Sequence, residues 1–281
     1  MLRIANTVSQ LQDFISERSG NGKKIAFVPT MGALHKGHIS LINRAKEEAD
    51  IVVCSIFVNP TQFTDPKDLE KYPRPLEHDI KMLDQAGTDV VFMPSVLEMY
   101  PEWPVPEKWD INLGQTEFLL EGAFRKGHYQ GVTQIVKKLF DAVGPHIAYF
   151  GQKDFQQVLM IRKMVGLFNM PVEIISCPIV REDDGLAMSS RNIHLSAIER
   201  QNALILSKAL QYVSDNQNER SFSALTQTAI EMINNADGVV LEYFTIADTQ
   251  TLLPFNVSGN AVALVAAKVG NTRLIDNMLL G

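Results

Sequence analysis

Between Pro29 and His38 the chain reads PTMGALHKGH, with the apolar run Lys24–Val28 directly before it and an amphipathic stretch after it. A glycine-bearing turn between a strand and a helix offers backbone N–H groups and the positive end of the helix dipole to an anion, usually a phosphate. The spacing Gly32-x4-Gly37 mimics a P-loop, but His38-Ile39 stand where that loop requires Lys and Ser or Thr, and the fingerprint GxGxxG is also missing. His35 and His38 are three residues apart and so share one face of the first helical turn. Two imidazoles there can donate to a phosphate whose charge grows in a transition state. The same pair could hold zinc, although no nearby Cys or carboxylate supplies further ligands, or could serve structure alone. The strand–turn–helix setting favours phosphate.

The elements that must position this loop are legible as an alternation. Ile51–Val58 is a nearly continuous β-branched run, as in a parallel strand buried on both faces. Val90–Met93, Ile147–Phe150 and Val172–Ile175 predict further strands, and Ile39–Ala49, Leu76–Ala86, Val132–Ala142 and Phe155–Phe168 predict helices between them. Pro94, Pro101, Pro104 and Pro106 make 94–106 a loop. Strand–helix alternation implies an α/β fold, a Rossmann-like parallel sheet with helices on both faces. After Cys177 the composition shifts. The polar segment REDDGLAMSSRN (181–192) suits an exposed linker or mobile loop, with Gly185 as its hinge. Ser196 and Glu199 form a capping box ahead of a helix reaching Val213, followed by a helix over Phe222–Ile233 and strands over Val239–Ile246 and Ala261–Lys268. The expected division is therefore a domain over 1–177 and a smaller α+β domain over 178–281 that includes the 181–192 loop.

Composition narrows the classes. The 281 residues are 46% hydrophobic and carry a net charge of −6, which argues against disorder and against a nucleic-acid partner. It also means that an anion site must be built locally from a few cations. Apolar runs such as Ala261–Ala267 are far too short to span a membrane. MLRIANTVSQLQDF lacks the apolar core of a secretory signal. Cys54 and Cys177 read as buried, reduced thiols. A cytoplasmic protein is expected.

HKGH after a first strand resembles the HxGH signature of the nucleotidylyltransferase superfamily, related to the class I aminoacyl-tRNA synthetases. PTMGALHKGH as a whole resembles the pantoate–β-alanine ligase family. FVNPTQF (57–63), YPR (72–74), LEGAFRKGHYQGV (120–132), YFGQKDFQQ (149–157), REDDGLAMSSRN (181–192) and TRLIDN (272–277) agree with that family in order, so the resemblance spans essentially the whole chain. Lys126 stands where proline is expected, and Gln152 where an acidic residue is common.

The resemblance implies ATP-dependent condensation of (R)-pantoate with β-alanine through pantoyl adenylate, by a homodimer, with Mg²⁺ held mainly on the ATP phosphates and no metal ligand assigned to the protein. It implies that Met31, Gly32, Ala33, Leu34, His35, Lys36, Gly37 and His38 form the ATP loop, with His38 the proton donor or a charge stabiliser; an imidazole can act in either way near neutral pH. Gln62, past the second buried strand, would lie between pantoate and β-alanine, and Gln157 would contact pantoate; an amide both donates and accepts, which suits hydroxyls and a carboxylate. Gly151, Gln152, Lys153 and Asp154 would also meet ATP, Lys153 at the phosphates and Asp154 at the ribose or the metal. Met188, Ser189, Ser190 and Arg191 resemble the KMSKS loop of the related synthetases, and Val180 would line the adenine. His35, His38, Lys153 and Arg191 are then the catalytic set. Arg125, for phosphate or pantoate, and Asp79, for the metal through water, are lesser candidates. Two other classes compete: a nucleotidylyltransferase that stops at the adenylated product, and a nucleotide-sensing module without turnover.

Overall fold

A computed structural model describes residues 2–20, 22–105, 107–255 and 260–281; Pro106, the last proline of the expected loop, lies outside them. The chain divides into two compact units, Met1–Gly151 with Gln157–Cys177, and Gln152–Gln156 with Pro178–Gly281.

The first unit is built on six parallel strands, β1 (Arg3–Ala5), β2 (Ile25–Thr30), β3 (Ile51–Ile56), β4 (Val90–Phe92), β5 (Ile147–Gly151) and β6 (Glu173–Cys177), in the order β1-β4-β3-β2-β5-β6. Its helices are α1 (Val8–Arg18), α2 (Lys36–Glu48), α3 (Pro66–Lys71), α4 (Leu76–Gln85), α5 (Val96–Met99), α6 (Glu121–Phe124), α7 (His128–Val143) and, from Gln157 on, α8 (Phe155–Leu167). The strand runs are largely apolar because both faces are covered. Phe27, Val53, Phe92 and Phe150 pack with Leu11 and Phe14 of α1 and Leu139 and Phe140 of α7. Their neighbours Val28, Cys54, Val91 and Tyr149 pack on the opposite face with Ile42 and Ala45 of α2 and Leu83 of α4. Both thiols are buried and free.

Chain order reverses at β2, which is flanked by β3 and β5. The crevice beyond the C-terminal ends of such strands is where open α/β sheets take ligands. The Met31–His35 segment leaves β2 at that end.

In the second unit α9 (Ala197–Asn216) and α10 (Phe222–Asn234) pack on an antiparallel sheet of β7 (Val239–Asp248), β8 (Ala261–Val269) and β9 (Thr272–Leu280). Leu210, Val213, Leu225 and Ile233 meet Ala263, Val265 and Leu274 in its core. The capping box forms as expected: Ser196 Oγ accepts from the Glu199 N–H, and Glu199 Oε2 from the Ser196 N–H at 2.8 Å.

Several elements depart from the sequence expectations. β1 and α1 precede the first expected strand, and β9 follows the last. The proline-rich stretch holds α5, capped where Ser95 Oγ accepts from the Glu98 N–H. The α2 helix begins at Lys36, ahead of the expected Ile39, because its cap is made by residues that apolar periodicity does not weigh.

Candidate active site

That cap is histidine on histidine. His35 is the N-cap of α2, and its Nδ1 accepts from the Gly37 N–H at 3.1 Å. The His35 N–H in turn donates to Nδ1 of His38 at 3.3 Å. This is the reciprocal geometry of a capping box, with imidazoles in place of hydroxyl and carboxylate. Each Nδ1 is an acceptor, so each ring carries its proton on Nε2. The two rings are 4.1 Å apart between centroids and tilted by 38°. One helix start thus holds two adjacent Nε2–H donors together with the positive end of its dipole.

The rest of the loop is held from behind. Asp79 on α4 is 1% exposed, and its Oδ1 accepts from the Leu34 N–H at 2.8 Å. Burial pushes its carboxyl above the ordinary range, and the Leu34 bond partly offsets that shift. Its other oxygen faces Gly32: a Cβ there would lie 2.6 Å from Oδ2, on a backbone with φ of +66°. Tyr72 of the YPR motif donates to the Gly32 carbonyl at 2.6 Å. Asp79, a lesser candidate for a water-bridged metal, thus supports the loop directly.

Gln62 ends a short 3-10 turn, Pro60–Gln62, and is buried. Its Oε1 accepts from Asn59 Nδ2 at 3.1 Å, and its Nε2 donates to Met31 Sδ at 3.1 Å. The amide orientation is therefore set, and one of its two donors rests on a thioether, a weak acceptor. Arg125 lies 3.0 Å from Nε2 of His128 through Nη1, and a guanidinium only donates. His128 therefore carries its proton on Nδ1, which donates to the Gln62 carbonyl at 2.8 Å. Arg125, a lesser candidate for substrate, thus acts on the residue that holds Gln62. Asn59 and His128 stand inside FVNPTQF and RKGHYQGV, but nothing local in the sequence marks them as partners of Gln62. Gln157 is half-buried on α8.

In the second unit Gln152, Lys153 and Asp154 form a 3-10 turn; Asp154 is exposed, Gln152 and Lys153 half-buried. The 181–192 segment is tied down by its own polar groups. Arg181 and Ala187 form an isolated β-bridge, and Gly185, with φ of +93°, sits in the reversal between them. Arg200 of α9 bonds Glu182 Oε2 at 2.8 Å and Asp184 Oδ2 at 3.0 Å. The first bond holds the Glu182 carboxyl below its ordinary range, and for Asp184 the Leu186 N–H, with Arg200 behind it, outweighs burial and does the same. Asn192 donates to Glu182 and to the Ala187 carbonyl. The Met188 N–H donates to the Val180 carbonyl, and Ser189 caps the 3-10 turn Ser190–His194 by accepting from the Arg191 N–H. The segment that reads as a loose linker is an anchored structure, because its charges meet partners far away in sequence. Lys153 and Ser189 line one small cleft with Asp276.

Among the described residues no group of three or more His, Cys, Asp or Glu side chains could hold a metal ion, and no helix is long and apolar enough to cross a membrane.

Comparison with known proteins accounts for both units. A family model described as pantoate-beta-alanine ligase matches residues 3–279. Pantothenate synthetases of Acetivibrio thermocellus and Thermotoga petrophila are each 46% identical to the chain; the matches cover 99% of both proteins in the first case and 100% in the second. The crystal structure of pantothenate synthetase from Thermus thermophilus superposes with a TM-score of 0.91 at 40% identity, covering 98% of each chain. Pantoate-beta-alanine ligase from Francisella tularensis, solved in complex with Beta-gamma ATP and Beta-alanine, gives 0.80 at 36% identity over 99% of this chain and 98% of that one. With the strand order, the histidine-capped loop and matches over nearly its full length in agreement, the chain belongs to the pantoate–β-alanine ligase family.

Proposed function

We propose that the chain performs its family's reaction in two steps, with His35 and His38 as donors to the phosphates of ATP. The reaction joins the carboxylate of (R)-pantoate to the amine of β-alanine and forms an amide, AMP and pyrophosphate, a step toward coenzyme A. A carboxylate is a poor electrophile and must be activated. A pantoate carboxylate oxygen attacks the α-phosphorus of ATP, the bond to the pyrophosphate oxygen breaks, and pantoyl adenylate results. The β-alanine amine then attacks the acyl carbon, loses a proton, and expels AMP.

The observation that carries this reading is the reciprocal cap of His35 and His38. Donors fixed before reaction stabilise developing phosphate charge without reorganising. In this reading Met31–His38, Gly151–Asp154, Val180 and Met188–Arg191 contact ATP, and Lys153 and Arg191 supply the cations that a net charge of −6 does not. Gln62 and Gln157 hold pantoate, Gln62 also β-alanine. A substrate oxygen is a better acceptor than the Met31 thioether, so pantoate would draw the Gln62 N–H to itself. Mg²⁺ enters on the nucleotide phosphates, as suits a hard cation that keeps several waters. The family resemblance supports a homodimer, and three small water-soluble substrates suit the cytoplasm.

The test is isotope exchange. If pantoyl adenylate forms reversibly, labelled pyrophosphate enters ATP in the presence of pantoate and MgATP without β-alanine. Lys153→Ala removes a charged donor, worth about 1.5–3 kcal/mol, and slows this exchange roughly 10- to 150-fold. Gln157→Ala loosens pantoate by about 0.5–1.5 kcal/mol, a smaller effect. A protein that makes pantothenate but shows no β-alanine-independent exchange would contradict the two-step reading. Pyrophosphate release with an accumulating adenylated product, and neither AMP nor amide formed, would instead favour a simple nucleotidylyltransferase.

A further inference from the structure

The motif TRLIDN lies in β9. Its Asp276 and Asn277 are 4% and 1% exposed, in the middle of an antiparallel strand, where charged and amide side chains are rarely buried without partners. Each side chain reaches a different segment. Asn277 Nδ2 donates to the backbone carbonyls of Gln152 and Lys153 at 3.0 and 2.9 Å, and its Oδ1 accepts from Gln152 Nε2 at 3.1 Å. Asp276 takes a bidentate pair from Arg181, at 2.7 and 3.0 Å, while Arg181 also donates to the Gly185 carbonyl at 3.2 Å. The Asn277 N–H closes the arrangement by donating to Asp276 Oδ1 at 2.8 Å. Two consecutive residues of one strand therefore hold the turn that presents Lys153 and the reversal that leads into Ser189–Arg191.

We propose that Asp276 and Asn277 are positioning residues that fix the Lys153 turn and the Ser189–Arg191 segment in one register for the nucleotide phosphates. Neither touches substrate; both act through backbone that carries the cations. The proposal rests on the reading of Lys153 and Arg191 as nucleotide contacts. A bidentate Arg–carboxylate pair and a doubly donating amide set direction as well as distance, which suits this task better than apolar packing would. Sub-ångström control of a charged donor matters because misplacement by about 1 Å can cost about 10²-fold in rate.

The experiment compares Asn277→Ala, Lys153→Ala and the double variant in the full-length chain. Affinity is read by titration with the Mg²⁺ complex of β,γ-methylene ATP, and pantoate KM by turnover. Asn277→Ala removes both donors from the Lys153 turn and is expected to weaken nucleotide affinity about tenfold while pantoate KM stays within about twofold. In the Lys153→Ala background the same substitution should change affinity less than about twofold, because the group it positions is gone. Asn277→Ser, which keeps one hydroxyl donor, and Arg181→Lys, which keeps charge but loses the bidentate fork, should give intermediate losses; they replace the alanine variant if it does not fold. A lower turnover with unchanged nucleotide affinity and pantoate KM would mean a merely structural role and overturn the proposal, as would full additivity in the double variant. If Lys153→Ala itself leaves nucleotide affinity and turnover unchanged, the site reading fails instead.

Discussion

His38→Ala is expected to slow pantothenate formation by about 10²–10³-fold, or about 2.7–4 kcal/mol of transition-state stabilisation, the range for loss of one preorganised oxyanion donor. The assignment follows from the cap. His38 Nδ1 is occupied by the His35 N–H at 3.3 Å, so only the Nε2–H side of the ring can donate to phosphate. The substitution also removes half of the cap and leaves the His35 N–H without this partner, which costs about 1 kcal/mol of stability. His38→Gln separates the two effects. Glutamine at this position is an ordinary capping-box partner and can accept from the His35 N–H through its carbonyl oxygen. Its amide N–H is a neutral donor on a more flexible side chain that cannot exchange a proton near neutral pH, so the preorganised donor is lost. Thermal melting of His38→Gln should therefore return toward the parent value while the rate remains low. Turnover of His38→Ala within a few-fold of the parent would remove His38 from the chemistry.

Gly131→Ala is expected to damage pantoate use by about 10²-fold, although alanine is the better helix former. Gly131 lies in the first turns of α7, where alanine would gain about 1 kcal/mol in an isolated helix. A Cβ at this position would lie 2.3 Å from the Thr61 carbonyl oxygen, 2.6 Å from its carbon and 2.8 Å from Cα of Gln62. These are backbone atoms, so no side chain can swing aside; the helix or the Pro60–Gln62 turn must move. The turn is bound to the same helix by Asn59, whose amide donates to both Gln62 Oε1 and the Gly131 carbonyl, and by His128, which holds the Gln62 carbonyl. Moving it displaces the Gln62 amide by an amount comparable to the roughly 1 Å that costs about 10²-fold. Overpacking should lower stability by only about 1–3 kcal/mol, so folded protein is available for kinetics. The expected signature is a raised pantoate KM or lowered kcat with nearly unchanged nucleotide affinity. Parent-like pantoate kinetics would show that the turn yields without carrying Gln62 with it.

What the sequence alone determined was whatever depends on neighbours along the chain. The β-branched run Ile51–Val58 announces a strand covered on both faces because it is apolar almost throughout; the strand that forms is Ile51–Ile56, and the coverage by α1 and α7 on one side and α2 and α4 on the other bears this out. HKGH directly after a strand points to the phosphate role proposed above because glycine, helix start and imidazoles are adjacent. The Ser196–Glu199 cap is likewise a local matter of three-residue spacing. β1 is not legible in the sequence because three residues carry too little periodicity to stand out, although pairing with β4 makes them a strand. β9 is obscured because Asp276-Asn277 reads as a break in an apolar run; only the folded chain brings Arg181 and the Gln152–Lys153 carbonyls to those side chains and makes their burial tolerable. The same holds for Asp79 behind Leu34 and for Gly131 against Thr61, contacts that join residues 45 and 70 positions apart, and for the His128 ring that Arg125 holds against the Gln62 carbonyl. Hydrogen-bond partners of buried polar groups are chosen by where helices and turns pack, and packing is a property of the whole core. The loop proposed to meet phosphate could therefore be read from one short consecutive stretch, whereas the groups that hold it still could be found only in three dimensions.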